Sequence, residues 1–238
     1  FLGTVLENER ESPVHFAQIG ACVLRREDDG SVRRERLQVD NILLAGKKRL
    51  SDAVWAKLAN IAGQSVKLVD LTEQDIVSRV LSDFDLRNKA GGKVRFAMRT
   101  LEKEVMEGIL PQLSDQQWLI ADGSLLFNPI LTLLSGADRI PPVIGVSKNF
   151  RKDPQFVYGR GPRAERRSIY KLLADLKAEQ RTAAFSAREG KVVFWYVRMR
   201  EQRHLDYPLM GVVKVELVNP SQEAVPSDLI DHISQALV

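Results

Sequence analysis

The apolar residues of this 238-residue chain change their spacing twice, and that change limits what it can fold into. The first fifty residues alternate as strands do, over Phe1–Leu6, Val14–Arg25 and Arg36–Leu44. Asp29-Gly30 between the second and third is a hairpin turn signal. Helical spacing then takes over. Ser51 and Asp52 open a helix carrying Val54, Trp55, Leu58 and Ile61, which Gly63 ends. Thr72–Phe84 reads as a second helix. Gly91-Gly92 is expected to break the chain before a third, from about Lys93 to Leu110, closed by Pro111.

Past Pro111 the pattern changes again. Trp118–Ala121 and Val143–Val146 are continuous apolar runs, the mark of central strands covered on both faces. A helix is expected from about Ala164 to Gln180, a strand over Val192–Met199, and another where Val213, Val215 and Leu217 alternate with Lys214 and Glu216. Ser227 opens a last helix. Strands, then helices, then strands alternating with helices make a mixed-sheet α/β fold. No repeat or long linker divides the chain, so residues 1–238 read as one domain. The chain opens on Phe rather than Met, and it is expected to lack residues at both ends.

Composition narrows the class. At 44% hydrophobic and 28% charged, the chain is an ordinary globular one. One cysteine excludes an internal disulfide framework and a cysteine-based zinc site. Cys22, inside Ile19–Leu24, reads as a small core residue. No apolar run approaches the length of a membrane span and no signal-peptide pattern is present, so the expected location is the cytoplasm. The net charge of +4 is unevenly spread. Lys148, Arg151, Lys152, Arg160, Arg163, Arg166, Arg167 and Lys171 are opposed over their span only by Asp153 and Glu165. A stretch like this reads first as a solvated basic face, and arginine among glycine and proline beside a metal site raises phosphate binding as the alternative.

The candidate site centres on Asp122-Gly123-Ser124, at the end of an apolar strand. A carboxylate there, beside a glycine that admits other groups, suits a hard metal ion. Asp29-Gly30-Ser31 carries the same three letters among arginines and reads as an exposed turn. From Glu102 to Leu110 a helix climbs about 12 Å; from Gln117 to Asp122 a strand returns about 16 Å. If the strand runs back along the helix, Asp122 comes level with Glu102. Val94, Met98, Leu101, Val105 and Ile109 form the helix's apolar stripe; Glu102 borders it, with Glu104 in reserve. Arg99 is spaced to pair with Glu102. Two half-buried carboxylates repel unless a cation lies between them, and Mg²⁺ or Mn²⁺ in that place assists phosphoryl displacement. Lys148 ends the next strand and is expected beside Asp122, where it holds a phosphate.

Arg-x-x-Glu (Arg99, Glu102), a strand ending in Asp-Gly-Ser-Leu (Asp122–Leu125) and one ending in Gly-Val-Ser-Lys (Gly145–Lys148) together resemble the NurA nucleases. The order agrees, down to a closing pair of strands. The resemblance implies an RNase H-like fold, a mixed β-sheet flanked by helices. It implies Mn²⁺-dependent (or Mg²⁺-dependent) DNA cleavage by a homodimer that works with a HerA-type hexameric ATPase in DNA end processing and repair. It also implies Glu102 and Asp122 as metal ligands and Lys148 as an active-site contact to phosphate. Leu6 stands where the family carries a first-strand aspartate, and Glu7, one position on, is the candidate to replace it. A catalytically inactive subunit that binds DNA or the ATPase is the alternative.

Overall fold

The computed structural model describes residues 2–7, 10–27, 29–63, 65–73, 82–114, 116–137, 140–150, 155–158 and 165–238. At 7, 10, 155–158 and 165–167 it describes the backbone alone. The chain forms two compact units, Phe1–Gly108 and Ile109–Val238. Each is built on a mixed sheet with helices packed against it.

In the first unit the sheet runs in the order β1 (Leu2–Glu7), β2 (Arg10–Arg26), β3 (Val32–Ala45), β4 (Val66–Asp70). Its first three strands are antiparallel neighbours, and β4 lies parallel to β3. The β2–β3 turn is the one expected: Gly30 has φ +82°, and Asp29 accepts the Ser31 N–H at 2.8 Å. Between β3 and β4 lies α1 (Asp52–Ala62). Ser51 caps it by accepting the Val54 N–H at 3.3 Å, and Gly63 closes it at φ +55°. β4 is not among the strands expected from the sequence.

Two expectations fail in this unit. α2 (Asp83–Ile109) runs straight through Gly91-Gly92. Each glycine costs a helix about 1 kcal/mol relative to alanine, but Leu86, Ala90 and Leu101 pack into a core with Ile19, Ile42 and Leu44, and that contact outweighs the local preference. A reciprocal cap starts the helix, with Ser82 Oγ donating to Asp85 and accepting its N–H. Cys22 is exposed. Ile19 and Val23 are buried on one face of β2, and the two-residue period turns Cys22 to the other. The expected helix over Thr72–Phe84 falls mostly on 74–81, outside the described residues.

The second unit carries a five-stranded sheet in the order β5 (Leu119–Asp122), β6 (Val143–Ser147), β11 (Val212–Val218), β10 (Val192–Arg198), β9 (Phe185–Ala187). β5 and β6 are parallel, and the remaining pairs antiparallel. The alternation along β10 and β11 builds both faces. Val193, Trp195, Val197, Val213, Val215 and Leu217 pack with Ile230 and Ile233 of α5 (Ser227–Leu237). On the opposite face Tyr196 and Val212 pack with Ile169 and Leu173 of α4 (Ile169–Ala174). Another helix, α3 (Asn128–Ser135), follows β5.

Here too the sequence expectations need correcting. Of the two apolar runs expected as central strands, only β6 is central. β5 is an edge strand four residues long, with Ile120 54% exposed. Of the helix expected from about Ala164 to Gln180 only the middle forms, as short α4; Glu165–Ser168 before it is β8, paired in a hairpin with β7 (Gln155–Tyr158). Ser168 caps α4 through the Tyr170 N–H. Past α4, Glu179 and Gln180 exchange backbone hydrogen bonds with Arg198 at the sheet, which keeps the helix from continuing to Gln180. Among the described residues no helix is long and apolar enough to cross a membrane.

Candidate functional site

Parallel pairing brings the carboxyl ends of β5 and β6 to one edge of the second unit's sheet. Asp122 pairs with Val146, so Lys148 lies just beyond it on the neighbouring strand. Lys148 Nζ stands 3.8 Å from Asp122 Oδ2, and the two side chains are 74% and 82% exposed. Asp122 is therefore not half-buried as expected. The cause is β5's place at the sheet edge, where no further strand of the described residues covers it. An ion pair this exposed contributes at most about 1 kcal/mol. Both groups can turn to a ligand at little cost to the fold.

Behind the exposed pair the chain is fixed. Gly123 adopts φ +135°, a conformation that side chains rarely permit, and its N–H donates to Val146 O at 2.8 Å. The turn then crosses over β6 at Gly145. A Cβ at Gly145 would stand 2.7 Å from the Gly123 carbonyl oxygen and 2.8 Å from the Leu125 side chain, so only glycine fits.

Beneath this turn lies a residue that in sequence is only one of an alternating pair of charges. Glu216, opposite Gly145 in the sheet, is 1% exposed. Its Oε2 accepts Ser124 Oγ–H and Leu125 N–H, both at 2.7 Å. Its Oε1 accepts Lys214 Nζ at 2.6 Å, and that ammonium also lies 4.4 Å from the centre of the Phe194 ring. Burial, and then the charge of Glu216, push the neighbouring Tyr196 phenol up to about 12. A strand that alternates apolar and charged residues normally has one wet face. Here the Asp122 turn and the aromatic residues cover the charged positions. The one sequence signal was Lys214 and Glu216 two apart, on one face of a strand.

The other predicted residues belong to other elements of the chain. Glu102 belongs to α2 in the first unit, where Arg99 pairs with it at 2.5 Å, as the spacing predicts. Glu104, the reserve, accepts Gln38 Nε2 at 3.4 Å. Leu6 is 70% exposed on edge strand β1. Glu7 follows it in β1, its side chain outside the described residues. Arg151, Lys152, Arg160 and Arg163 also lie outside them; Arg166 and Arg167 are in β8, with only their backbone described. Asp29-Gly30-Ser31 is an exposed turn, as read.

Among the described residues no three His, Cys, Asp or Glu side chains gather as a metal cage. The edge offers one open carboxylate with an ammonium beside it. That donor set fits a hard cation of the Mg²⁺ or Mn²⁺ kind, which commonly takes one or two protein carboxylates and fills its shell with water and phosphate oxygens. Set against models of known protein families the chain matches none, and no curated protein matches it.

Proposed function

We propose that this chain is a metal-dependent DNA nuclease of the NurA kind, with an RNase H-like fold. One observation carries the reading: an exposed carboxylate and an exposed ammonium, Asp122 and Lys148, lie 3.8 Å apart at the carboxyl ends of two parallel strands. Ligands of open α/β sheets bind at such ends. In this proposal Asp122 holds the cation, with Glu102 and Glu7 as the further carboxylates, and Lys148 orients the scissile phosphate. Bound there, Mn²⁺ or Mg²⁺ supplies Lewis-acid stabilisation of the charge that builds on the phosphate oxygens. Arg151, Lys152, Arg160, Arg163, Arg166 and Arg167 hold the DNA backbone. The partners are DNA, a second copy of the chain and a HerA-type hexameric ATPase, and the task is DNA end processing.

A second reading, a catalytically inactive subunit of the same complex, is favoured by Leu6. An exposed leucine where the family has an aspartate supplies no ligand. Cleavage of end-labelled linear DNA with and without Mn²⁺ separates the two. The nuclease reading expects Mn²⁺-stimulated cleavage that Asp122→Ala lowers by at least about 100-fold, the scale of losing one preorganised charge-stabilising group, with an unchanged melting curve. Undiminished cleavage by the variant removes Asp122 from the site. DNA binding without cleavage by the natural chain selects the inactive subunit.

A further inference from the structure

We propose that Glu216 is the positioning residue of this site, setting from inside the sheet the path of residues 123–125 and with it the outward aim of Asp122. The inference rests on the reading of Asp122 as a cation ligand and adds a residue that touches neither metal nor phosphate.

A carboxylate is retained in a sheet interior only when its hydrogen-bonding capacity is met. Glu216 meets it with three donors, and two of them come from the turn after Asp122. The bond from Leu125 is to backbone, so it fixes the chain and not merely a side chain. Ser124 Oγ both donates to Glu216 and accepts the Leu126 N–H, which ties the next residue to the same point. Gly145 lets the turn approach closely enough for these bonds to form. Lys214 sets its ammonium against the other carboxylate oxygen, which leaves Oε2 to accept from both turn donors. A flexible turn would leave an exposed aspartate sampling many directions, whereas a ligand works best when held in one. The clamp gives Asp122 a fixed base while leaving its carboxylate free to bind.

The test compares the natural chain with Ser124→Ala, Ser124→Thr and Glu216→Gln. Mn²⁺ affinity is read from the electron paramagnetic resonance of free Mn²⁺, and amide exchange at Leu125 by NMR. Ser124→Ala keeps the Glu216–Lys214 pair, so it tests the clamp even if Glu216→Gln does not fold. Hydrogen bonds to a charged group predict that Ser124→Ala weakens Mn²⁺ binding and speeds Leu125 exchange, each on the order of tenfold. Ser124→Thr, which keeps the hydroxyl, retains natural values. Mn²⁺ affinity unchanged in Ser124→Ala, in a chain that binds Mn²⁺, overturns the positioning role. If the natural chain binds no Mn²⁺, the nuclease reading fails, and Leu125 exchange decides the clamp: faster exchange in Ser124→Ala supports it, and natural exchange overturns it.

Discussion

Two strands of this chain end on an aspartate beside a parallel neighbour, and the two carboxylates meet opposite fates. Asp70 closes β4 in the first unit and Asp122 closes β5 in the second. Each is followed two residues later by a hydroxyl. Thr72 turns back on Asp70, donating its N–H at 2.8 Å and its Oγ1–H at 2.6 Å, and the Lys47 N–H adds a third bond at 3.0 Å. Burial pushes the Asp70 carboxyl up, but these bonds outweigh it and hold the group below the usual carboxylate range. Ser124 instead donates its one proton across the sheet to Glu216, and Asp122 faces solvent with Lys148. Which acceptor the hydroxyl takes separates a carboxylate consumed by the fold from one open to a ligand.

The largest stability change expected from this contrast is at Gly145. Gly145→Ala drives a methyl group into the Gly123 carbonyl, a backbone atom that cannot step aside, and so prises the turn from Glu216. Overpacking of this kind costs about 3 kcal/mol, read as a lowered urea midpoint. Next comes the pair of aspartates themselves. Asp70→Ala leaves three donors without their acceptor and is expected to destabilise the chain by about 1–2 kcal/mol. Asp122→Ala is expected to cost under about 0.5 kcal/mol. Equal losses at the two positions would erase the distinction. Because the Asp70 carboxyl is held low, its contribution is present above the unfolded group's pKa and fades as pH falls through the folded value. The Asp70→Ala penalty should shrink accordingly in acid.

The smallest effect is alkaline. Tyr196 is raised from 10.0 to about 12 by burial and by Glu216. The folded chain keeps a proton that the unfolded chain gives up, so this stabilisation is complete below pH 10 and is lost as pH rises to about 12. Tyr196→Phe should flatten that part of the stability profile in pH-dependent urea unfolding. A profile as steep as the natural one would remove Tyr196 from the Glu216 environment.

Features governed by neighbours in sequence were legible from the start. The Ser51 cap, the Gly63 stop, the Asp29-Gly30 turn and the Arg99–Glu102 pair each depend on residues within four positions of one another. The alternation along Val212–Val218 likewise gave the strand. Features decided by distant contacts were not. Gly91-Gly92 reads as a break until Leu86, Ala90 and Leu101 have a sheet to pack on. An apolar run such as Trp118–Ala121 looks central, because its length and hydrophobicity do not encode whether another strand or water lies beside it.

The sequence alone determined that Asp122 ends a strand, that a glycine follows it, and that Lys148 stands at the close of the next strand, one residue past its end, since strand period and turn chemistry are local. Only the tertiary structure decided that the two side chains meet in the open at the sheet's edge, and that Glu216, ninety-two residues from Ser124, lies beneath them. Burial of a charge is a property of what covers it. The residues that cover Glu216 come from strands the chain brings together only on folding.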